Sequence, residues 1–501
     1  MNSRALLAVV AAAAVACTPA GGPGRLSPAV GSLQQTIDSL VNQPKFRNAH
    51  WGVLIVDPGS GDTLYSRNAG KLFMPASNQK LLTGSTALAQ LGPDYRFRTV
   101  FATEGSISDG TLHGDLLVDG GGDPSFSDHM RGDAMLAMGE MADSLIAHGI
   151  HRVTGKVRRG IDAFPDANVG YSWAWDDFDY PYSARIDALT FNEGFTRVTV
   201  RGAQRPGDAP MVATAPIPTW PIVRVTATTV ASMPPDDDNG IDVVRDSTTG
   251  GIVVSGAIAV GDSAFSSITY SDPEAAWLEA LRWAMVARGI TIDERPSATT
   301  ADDDTGTIGA ATRRDTLFTF LSPPLREVLR AFEKPSQNQI GELLLKTLGL
   351  ERTGVGTADS GAAVVRRQVL SWGAEPDGFI VRDGSGLSRH DVVTPETIVR
   401  VLDGIRADTA FHVFYDALPI AGVDGTIAGR MRGTAAEGNV HAKTGTLNMV
   451  RSLSGYVTTV DRHLLLFSIL VNNWTTPVRE VNLAQDSIMA RVAGMRLRDQ
   501  R

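Results

Sequence analysis

Ser77 and Lys80 stand three residues apart in MPASNQKLLTGSTALAQLGP, residues 74–93 of a 501-residue chain. On a helix that spacing makes the two side chains neighbours. A serine hydroxyl is a weak nucleophile that needs an adjacent base. A lysine becomes that base when burial or nearby cations lower its pKa, and a helix N-terminus favours developing negative charge. Taken alone, the pair reads more readily as a polar helix start with a solvated lysine. Two more polar sets follow: Ser336-Gln337-Asn338 in KPSQNQI, and Lys443-Thr444-Gly445 in HAKTGTL.

The elements that must position these residues are legible in outline. Pro75 at the entrance and Gly92-Pro93 at the stop mark a helix over 74–93. Before it, HWGVLIVDPGSGDTLYSRNAGKLF reads as a β-hairpin around Pro58-Gly59-Ser60-Gly61, and VGSLQQTIDSLVN as a helix. Ser336 falls between a helix that stops before Pro335 and one that starts near Ser336. Lys443 enters a strand, and MVRSLSGYVTTV and HLLLFSILVNN read as two strands joined by a turn at Asp461. GAAVVRRQVLSWG, TPETIVRVLDGI (Thr394 as cap, Pro395 at the first position) and VREVNLAQDSIMARVAGM complete the helices. From Arg98 to Arg313 short β-rich runs alternate with turns, interrupted by the helix PEAAWLEALRWAMVARG. No internal repeat is present.

The whole-chain properties exclude several classes. Net charge is −9, with 55 acidic and 46 basic residues, so a nucleic-acid partner, which needs a basic face, is not expected. The nine histidines show no metal-ligand spacing, and no metal or cofactor is expected. GIHRVTGKV lacks the spacing and the Ser/Thr of a P-loop. MPPDDDNG and ADDDTGTIG lack the closing Glu of a calcium loop and read as acidic turns. His441 is expected as an exposed strand residue.

The N-terminus reads as an export signal. Arg4 precedes an apolar run ending at Cys17, the sole cysteine of the chain, so no internal disulfide forms. Residues 1–17 are expected to be a signal peptide. Two routes stay open: lipidation of Cys17 in the manner of a bacterial lipoprotein, or cleavage at Ala14-Val15-Ala16. Either way the mature protein would work outside the cytoplasm, in the periplasm or cell envelope, with TPAGGPGRLSP as a tether. No apolar run reaches the roughly 18 residues of a membrane span.

Ser-x-x-Lys, then Ser-x-Asn, then Lys-Thr-Gly, in that order, resembles the signature of the penicillin-binding proteins and serine β-lactamases, with Gln337 where the family carries Asp. Ser77 and Ser336 are 259 residues apart, far more than in compact β-lactamases, and the gap coincides with the β-rich region. That arrangement resembles the class C low-molecular-mass penicillin-binding proteins, the DacB type of D-alanyl-D-alanine carboxypeptidase and endopeptidase. Further stretches carry the same resemblance: Gly120–Pro124 in LLVDGGGDPSF, YSWAWDDFDYPYSARIDALTFNEG, Asp383–Arg389 in VRDGSGLSRHDVVTP, and Leu418–Thr426 in LPIAGVDGTIAGRM. It spans residues 30–495.

The resemblance implies an α/β (α+β) fold: a transpeptidase-like domain, an antiparallel sheet covered by helices, with β-rich inserted domains. The catalytic domain would combine 25–97 with 314–501. An inserted domain would comprise 98–188 and 271–313, with a nested domain at 189–270. By the same resemblance Ser77 would be acylated and Lys80 would take its proton. Ser336 would relay a proton to the leaving amine beside the positive Lys443, and Asn338 would orient Lys80 or the substrate amide. The backbone N–H groups of Ser77 and Thr446 would form the oxyanion hole. Thr444 and Thr446 would hold the terminal carboxylate, Gly445 would allow close approach, and Leu447 would be an apolar wall. Asp177, with Asp176 as its neighbour, would read a free amine on the substrate side chain, and Arg389 would line the same pocket or form a structural ion pair. The implied partners are peptidoglycan stem peptides and, as covalent inhibitors, β-lactams, with membrane contact only through a lipid on Cys17. Two alternatives stand beside this reading: a β-lactamase or esterase of the same superfamily, and a non-catalytic cell-wall binding protein.

Overall fold

The computed structural model describes residues 27–218, 220–234, 240–246, 248–293 and 314–498. The expected signal segment with Cys17, and most of the two acidic turns, lie outside the described residues.

A five-stranded antiparallel sheet forms the centre of the larger body. Its order is Asp62–Arg67, His50–Asp57, Leu464–Asn472, Val450–Thr458, His441–Leu447. The N-terminal hairpin therefore completes a sheet begun by the C-terminal strands, with Trp51 opposite Val471. Alternation along each strand sends side chains to both faces, and both are buried. Leu54, Tyr456, Leu466 and Leu470 face a core with Leu81, Leu82 and Phe332. Val53, Ile55, Phe467 and Ile469 face a second core with Leu33, Ile37 and Ile488.

Helices cover each face for reasons visible in their sequences. Pro28–Val41 starts on Ser27, whose Oγ accepts from Ala29 N at 3.1 Å, and buries Val30, Leu33, Ile37 and Val41 on one stripe. Val478–Ala493 lies beside it. On the other face lie Gln79–Leu91, Leu325–Glu333, Asn338–Thr353, Ala358–Ser371 and Pro395–Arg406. Thr394 caps the last of these by accepting from Thr397 N at 3.0 Å. Each fully buried Leu or Ile in these layers contributes roughly 1.5–3 kcal/mol.

The Ser77 helix differs from its expected span. A 3₁₀ turn, Ala76–Asn78, precedes the α-helix Gln79–Leu91. Ala76 sits at φ +48°, which no α-helix accepts, and so delays the helix start.

The β-rich region carries its own cores. One sheet orders Asp315–Leu321, Arg98–Thr103, Leu116–Asp119 and Val157–Arg159. The helices Met135–Ala147 and Pro273–Ala287 pack with it around Phe101, Met141, Trp277 and Leu281. A separate core of Val198, Val200, Val254, Ile258 and Ile268 lies among the strands between 195 and 269. Just past the boundary expected at 314, Asp315–Leu321 pairs with Arg98–Thr103, and its Phe318 and Phe320 pack on the core around Phe101 and Trp277. The chain rejoins the larger body's core at Leu325.

One stretch ties insertion to site. Phe164, Trp173, Ile186 and Ala188 bury themselves with Leu343 of the helix Asn338–Thr353. On that helix Lys346, almost wholly buried, pairs with Asp166 and donates to Ala167 O at 2.9 Å.

Candidate active site

Ser77 is seated by three separate elements. Ser452 Oγ donates to Pro75 O at 2.7 Å, and Asn78 Nδ2 donates to Ser454 Oγ at 2.6 Å. Gly445 lies so close that a Cβ there would stand 2.0 Å from Ser452 Oγ, 2.5 Å from Pro75 O and 3.0 Å from Ser77 N. From the opposite side comes Gly386, at φ +83°, where a Cβ would be 1.9 Å from Ala76 O. The left-handed backbone at Ala76 is thus over-determined by its surroundings, as local strain at reactive sites requires.

Lys80 lies behind the hydroxyl and is 0% exposed. Its Nζ is 2.9 Å from Ser77 Oγ, 2.6 Å from Asn338 Oδ1 and 2.7 Å from Ser385 O, so all three ammonium donors have partners. Burial, reinforced by the Lys443 cation, brings this amine down to about 7 against the pull of Glu333, Asp383 and Glu342. An amine near 7, in reach of a hydroxyl, has the properties of a general base.

Asn338 opens the helix Asn338–Thr353, and its Nδ2 donates to Tyr182 O at 2.8 Å, which fixes Oδ1 toward Lys80. Gln337 caps that helix, its Oε1 accepting from Ile340 N at 2.9 Å. This is the work an Asp would do at the same position, so the departure from the family pattern leaves the local structure supported. Ser336 is held at φ +67° and lines the cavity described below.

Lys443 is fully buried in the strand His441–Leu447, and burial brings its amine down to about 8 while Glu333 pulls it up. Thr444 Oγ1 donates to Thr426 Oγ1 at 2.7 Å. Thr446 Oγ1 accepts from the Arg451 guanidinium, which leaves its own O–H free to donate elsewhere.

A cavity of about 920 Å³ opens over these groups. Ser77, Ser336, Asn338, Thr446 and Leu447 line it; Lys80, Lys443, Thr444 and Gly445 lie outside its lining. Its far side carries Asp177 and Arg389, brought from the insertion and from the 383–389 loop. Asp177 Oδ1 accepts from Tyr182 OH at 2.6 Å, and Asp176 does not line the cavity. Arg389 is exposed, with Nη1 3.4 Å from Asn448 O; among the described residues it pairs with no carboxylate. His441 departs from expectation. It is 9% exposed, stacked on Tyr415 with ring centroids 3.9 Å apart, because its strand is covered by the segment carrying Tyr415.

Several buried acids of the site were not singled out from the sequence. Glu342 accepts from Gly384 N and Ser385 N, at 3.0 and 2.9 Å, and so aims Ser385 O at Lys80. Asp383 accepts from Gly386 N (2.7 Å), Ser388 N (2.6 Å) and Trp173 Nε1 (2.9 Å). Glu333 is buried beside both lysines. One signal could have found Glu333: it falls on the apolar stripe of its helix, four residues after Leu329. Among the described residues, no group of three or more His, Cys, Asp or Glu is arranged to hold a metal. No helix there is long and apolar enough to cross a membrane.

Comparison with known proteins finds relatives of the whole chain. The profile of the D-Ala-D-Ala carboxypeptidase 3 (S13) family matches residues 33–493. A D-alanyl-D-alanine carboxypeptidase of Actinomadura sp. (strain R39) is 32% identical, the match covering 98% of this chain and 91% of that protein. The D-alanyl-D-alanine carboxypeptidase DacB of Haemophilus influenzae is 26% identical, with 82% of each chain covered. The crystal structure of penicillin binding protein 4 (dacB) from H. influenzae superposes with a TM-score of 0.72, at 23% identity, covering 92% of this chain and 97% of that one. The fold is therefore shared with that protein.

Proposed function

The chain belongs to the D-Ala-D-Ala carboxypeptidase 3 (S13) family, a serine carboxypeptidase family, and from that membership we propose that it cleaves stem-peptide termini of peptidoglycan through an acyl-enzyme on Ser77. The observation that carries this reading is the buried Lys80 amine, 2.9 Å from Ser77 Oγ and 2.6 Å from Asn338 Oδ1.

In the proposed sequence, Ser77 Oγ attacks the carbonyl carbon of the penultimate D-alanine and Lys80 takes the hydroxyl proton. The oxyanion is met by the N–H groups of Ser77 and Thr446. As the C–N bond breaks, the proton passes from Lys80 through Ser336 to the leaving amine. Thr446, oriented by Arg451, and Thr444 hold the departing carboxylate. Lys443 supplies positive charge and Leu447 an apolar wall. Water then attacks the ester, gives its proton to Lys80, and the serine hydroxyl is restored. The same chemistry applied to a D-alanyl cross-link is endopeptidase action, which we include in the proposal. Asp177 would receive a free amine on the substrate side chain, with Arg389 at the rim.

The reading places the protein in the cell envelope, outside the cytoplasm, reached through the signal segment 1–17, with Cys17 as a candidate lipid anchor. β-Lactams would acylate Ser77 as substrate mimics. A fluorescent penicillin tests this directly. Wild-type protein is expected to give a stable covalent band that Ser77→Ala abolishes, and muropeptide digests should then release D-alanine. A folded wild type with no band and no D-alanine release would sink the reading.

A further inference from the structure

Among the described residues that line the cavity over Ser77, two are cations, Arg389 and Arg451. They are held differently. Arg389 is exposed, with a 3.4 Å contact to Asn448 O. Arg451 is half-buried and braced from two sides. It lies in the strand Val450–Thr458 directly opposite Thr446, so the two side chains share one face of the sheet. Its guanidinium donates to Thr446 Oγ1. Its Nε donates to Asn482 Oδ1, at 2.9 Å, on the helix Val478–Ala493.

A cation drawn partly out of water is normally answered by a carboxylate. Arg451 has no such answer: both of its side-chain partners are neutral, and no carboxylate among the described residues pairs with it. The charged group that does face it is a second cation, Arg430, whose own carboxylate is Asp486 at 2.7 Å. Lys443, on the neighbouring strand, lies outside the cavity lining, and its amine donates to Thr444 O at 3.3 Å. The wall beside Thr446 therefore presents a fixed positive charge that the protein itself does not neutralise.

The reaction proposed above puts the scissile carbonyl oxygen on the N–H of Thr446. In a leaving α-amino acid the carboxylate carbon is two bonds from the scissile nitrogen, so it falls beside the Thr446 side chain, where Arg451 stands. The planar guanidinium matches a carboxylate in shape as well as in charge. We propose that Arg451 binds the carboxylate of the leaving residue directly, and so limits this enzyme to leaving groups with a free carboxylate on the carbon that bears the scissile nitrogen. D-Alanine fits, and so does a cross-linked residue that keeps that carboxylate; a residue amidated there does not. This rests on the reading of Ser77 given above and deepens it by setting the class of leaving group.

The test compares two peptides, one ending in D-alanyl-D-alanine and the same peptide ending in D-alanyl-D-alaninamide. What is read is the ratio of their kcat/KM values, acid over amide. Arg451→Gln removes the charge and keeps an amide donor for Thr446 and Asn482. The ratio should fall by about tenfold to a hundredfold, the range of one charge-assisted contact. Arg451→Lys keeps the charge and should hold the ratio within about threefold of wild type. An Arg451 that only braces Thr446 would lower both peptides by one factor and leave the ratio where it was. That result in a folded Gln variant overturns the proposal. If the Gln variant does not fold, wild type and Arg451→Lys decide. A wild-type ratio near one overturns the proposal, and so does a Lys variant whose ratio falls tenfold although its charge remains. A wild type that cleaves neither peptide and takes no penicillin label is a different failure, that of the Ser77 reading.

Discussion

Two regions meet at the cavity, the Ser77 turn and the segment 170–183, and they are held in opposite ways. Around Ser77, Gly445 and Gly386 press against the backbone, Ser452 bonds to it, and Asn78 of the turn bonds to the Ser454 hydroxyl. Along 170–183, Tyr171, Trp175 and Tyr180 are 58%, 83% and 56% exposed. The segment is tied to the site by a few contacts: Trp173 Nε1 to Asp383 at 2.9 Å, Asn338 Nδ2 to Tyr182 O at 2.8 Å, and Gln339 Nε2 to Pro181 O at 2.7 Å. The difference separates two tasks. Bond-making needs atoms fixed to a fraction of an ångström, and the larger body supplies that rigidity. On the proposed reading, selecting a substrate side chain needs only a charge at about the right place, which a lightly tethered arm would provide.

If that division holds, damage at the turn should abolish reaction with every acylating agent, whereas damage on the arm should change only which substrates react well. Gly445→Ala gives the largest expected effect. The added Cβ overlaps Ser452 Oγ and Pro75 O, so the Ser77 turn must shift. Misplacement on that scale costs about 100-fold or more, to be read as the second-order rate of penicillin acylation. A loss below about threefold would show that the turn is as adaptable as the arm, and the comparison would fail.

The same division explains what the sequence revealed. Ser77–Lys80 and Ser336–Asn338 are local pairs on or beside helix starts, and local spacing survives into three dimensions. Gly445 could be read as a close-approach residue because its lack of Cβ has few other uses. That both chain ends build one domain came with the resemblance, since no local pattern pairs His50–Asp57 with Leu464–Asn472. Glu342 and Asp383 were out of reach. Glu342 reaches Ser385, 43 residues away, and Asp383, besides its local bonds to Gly386 N and Ser388 N, reaches Trp173, 210 residues away; no local pattern encodes such distant pairings. His441 misled because a polar residue on an edge strand normally faces water, whereas here Tyr415 covers it.

Asp177→Asn tests the arm. The amide keeps an acceptor for Tyr182 OH, so folding and penicillin acylation should match wild type. Peptides with a free side-chain amine should lose about tenfold in kcat/KM, the worth of one charge-assisted contact at a partly wet site. Peptides with that amine acetylated should lose nothing. Equal losses on both peptides would mean that Asp177 supports the cavity wall instead of reading charge.

Arg389 stands at the border between the two regions and should give the smallest effect. It belongs to the 383–389 loop, whose Asp383 and Ser385 are buried against the site, yet its own side chain is exposed. Its contact with Asn448 O, at 3.4 Å, is too long to hold it firmly. An exposed cation beside a cavity acts on an anionic substrate mainly at a distance, and salt screens that action over about 8 Å at physiological ionic strength. Arg389→Ala should therefore lower kcat/KM for a carboxylate-bearing peptide by about two- to threefold at low salt, and the deficit should vanish as salt is raised. A tenfold loss that persists in high salt would require direct contact with the substrate. Arg389 would then belong with the rigid half, and the line between the two regions would run through the 383–389 loop's own rim.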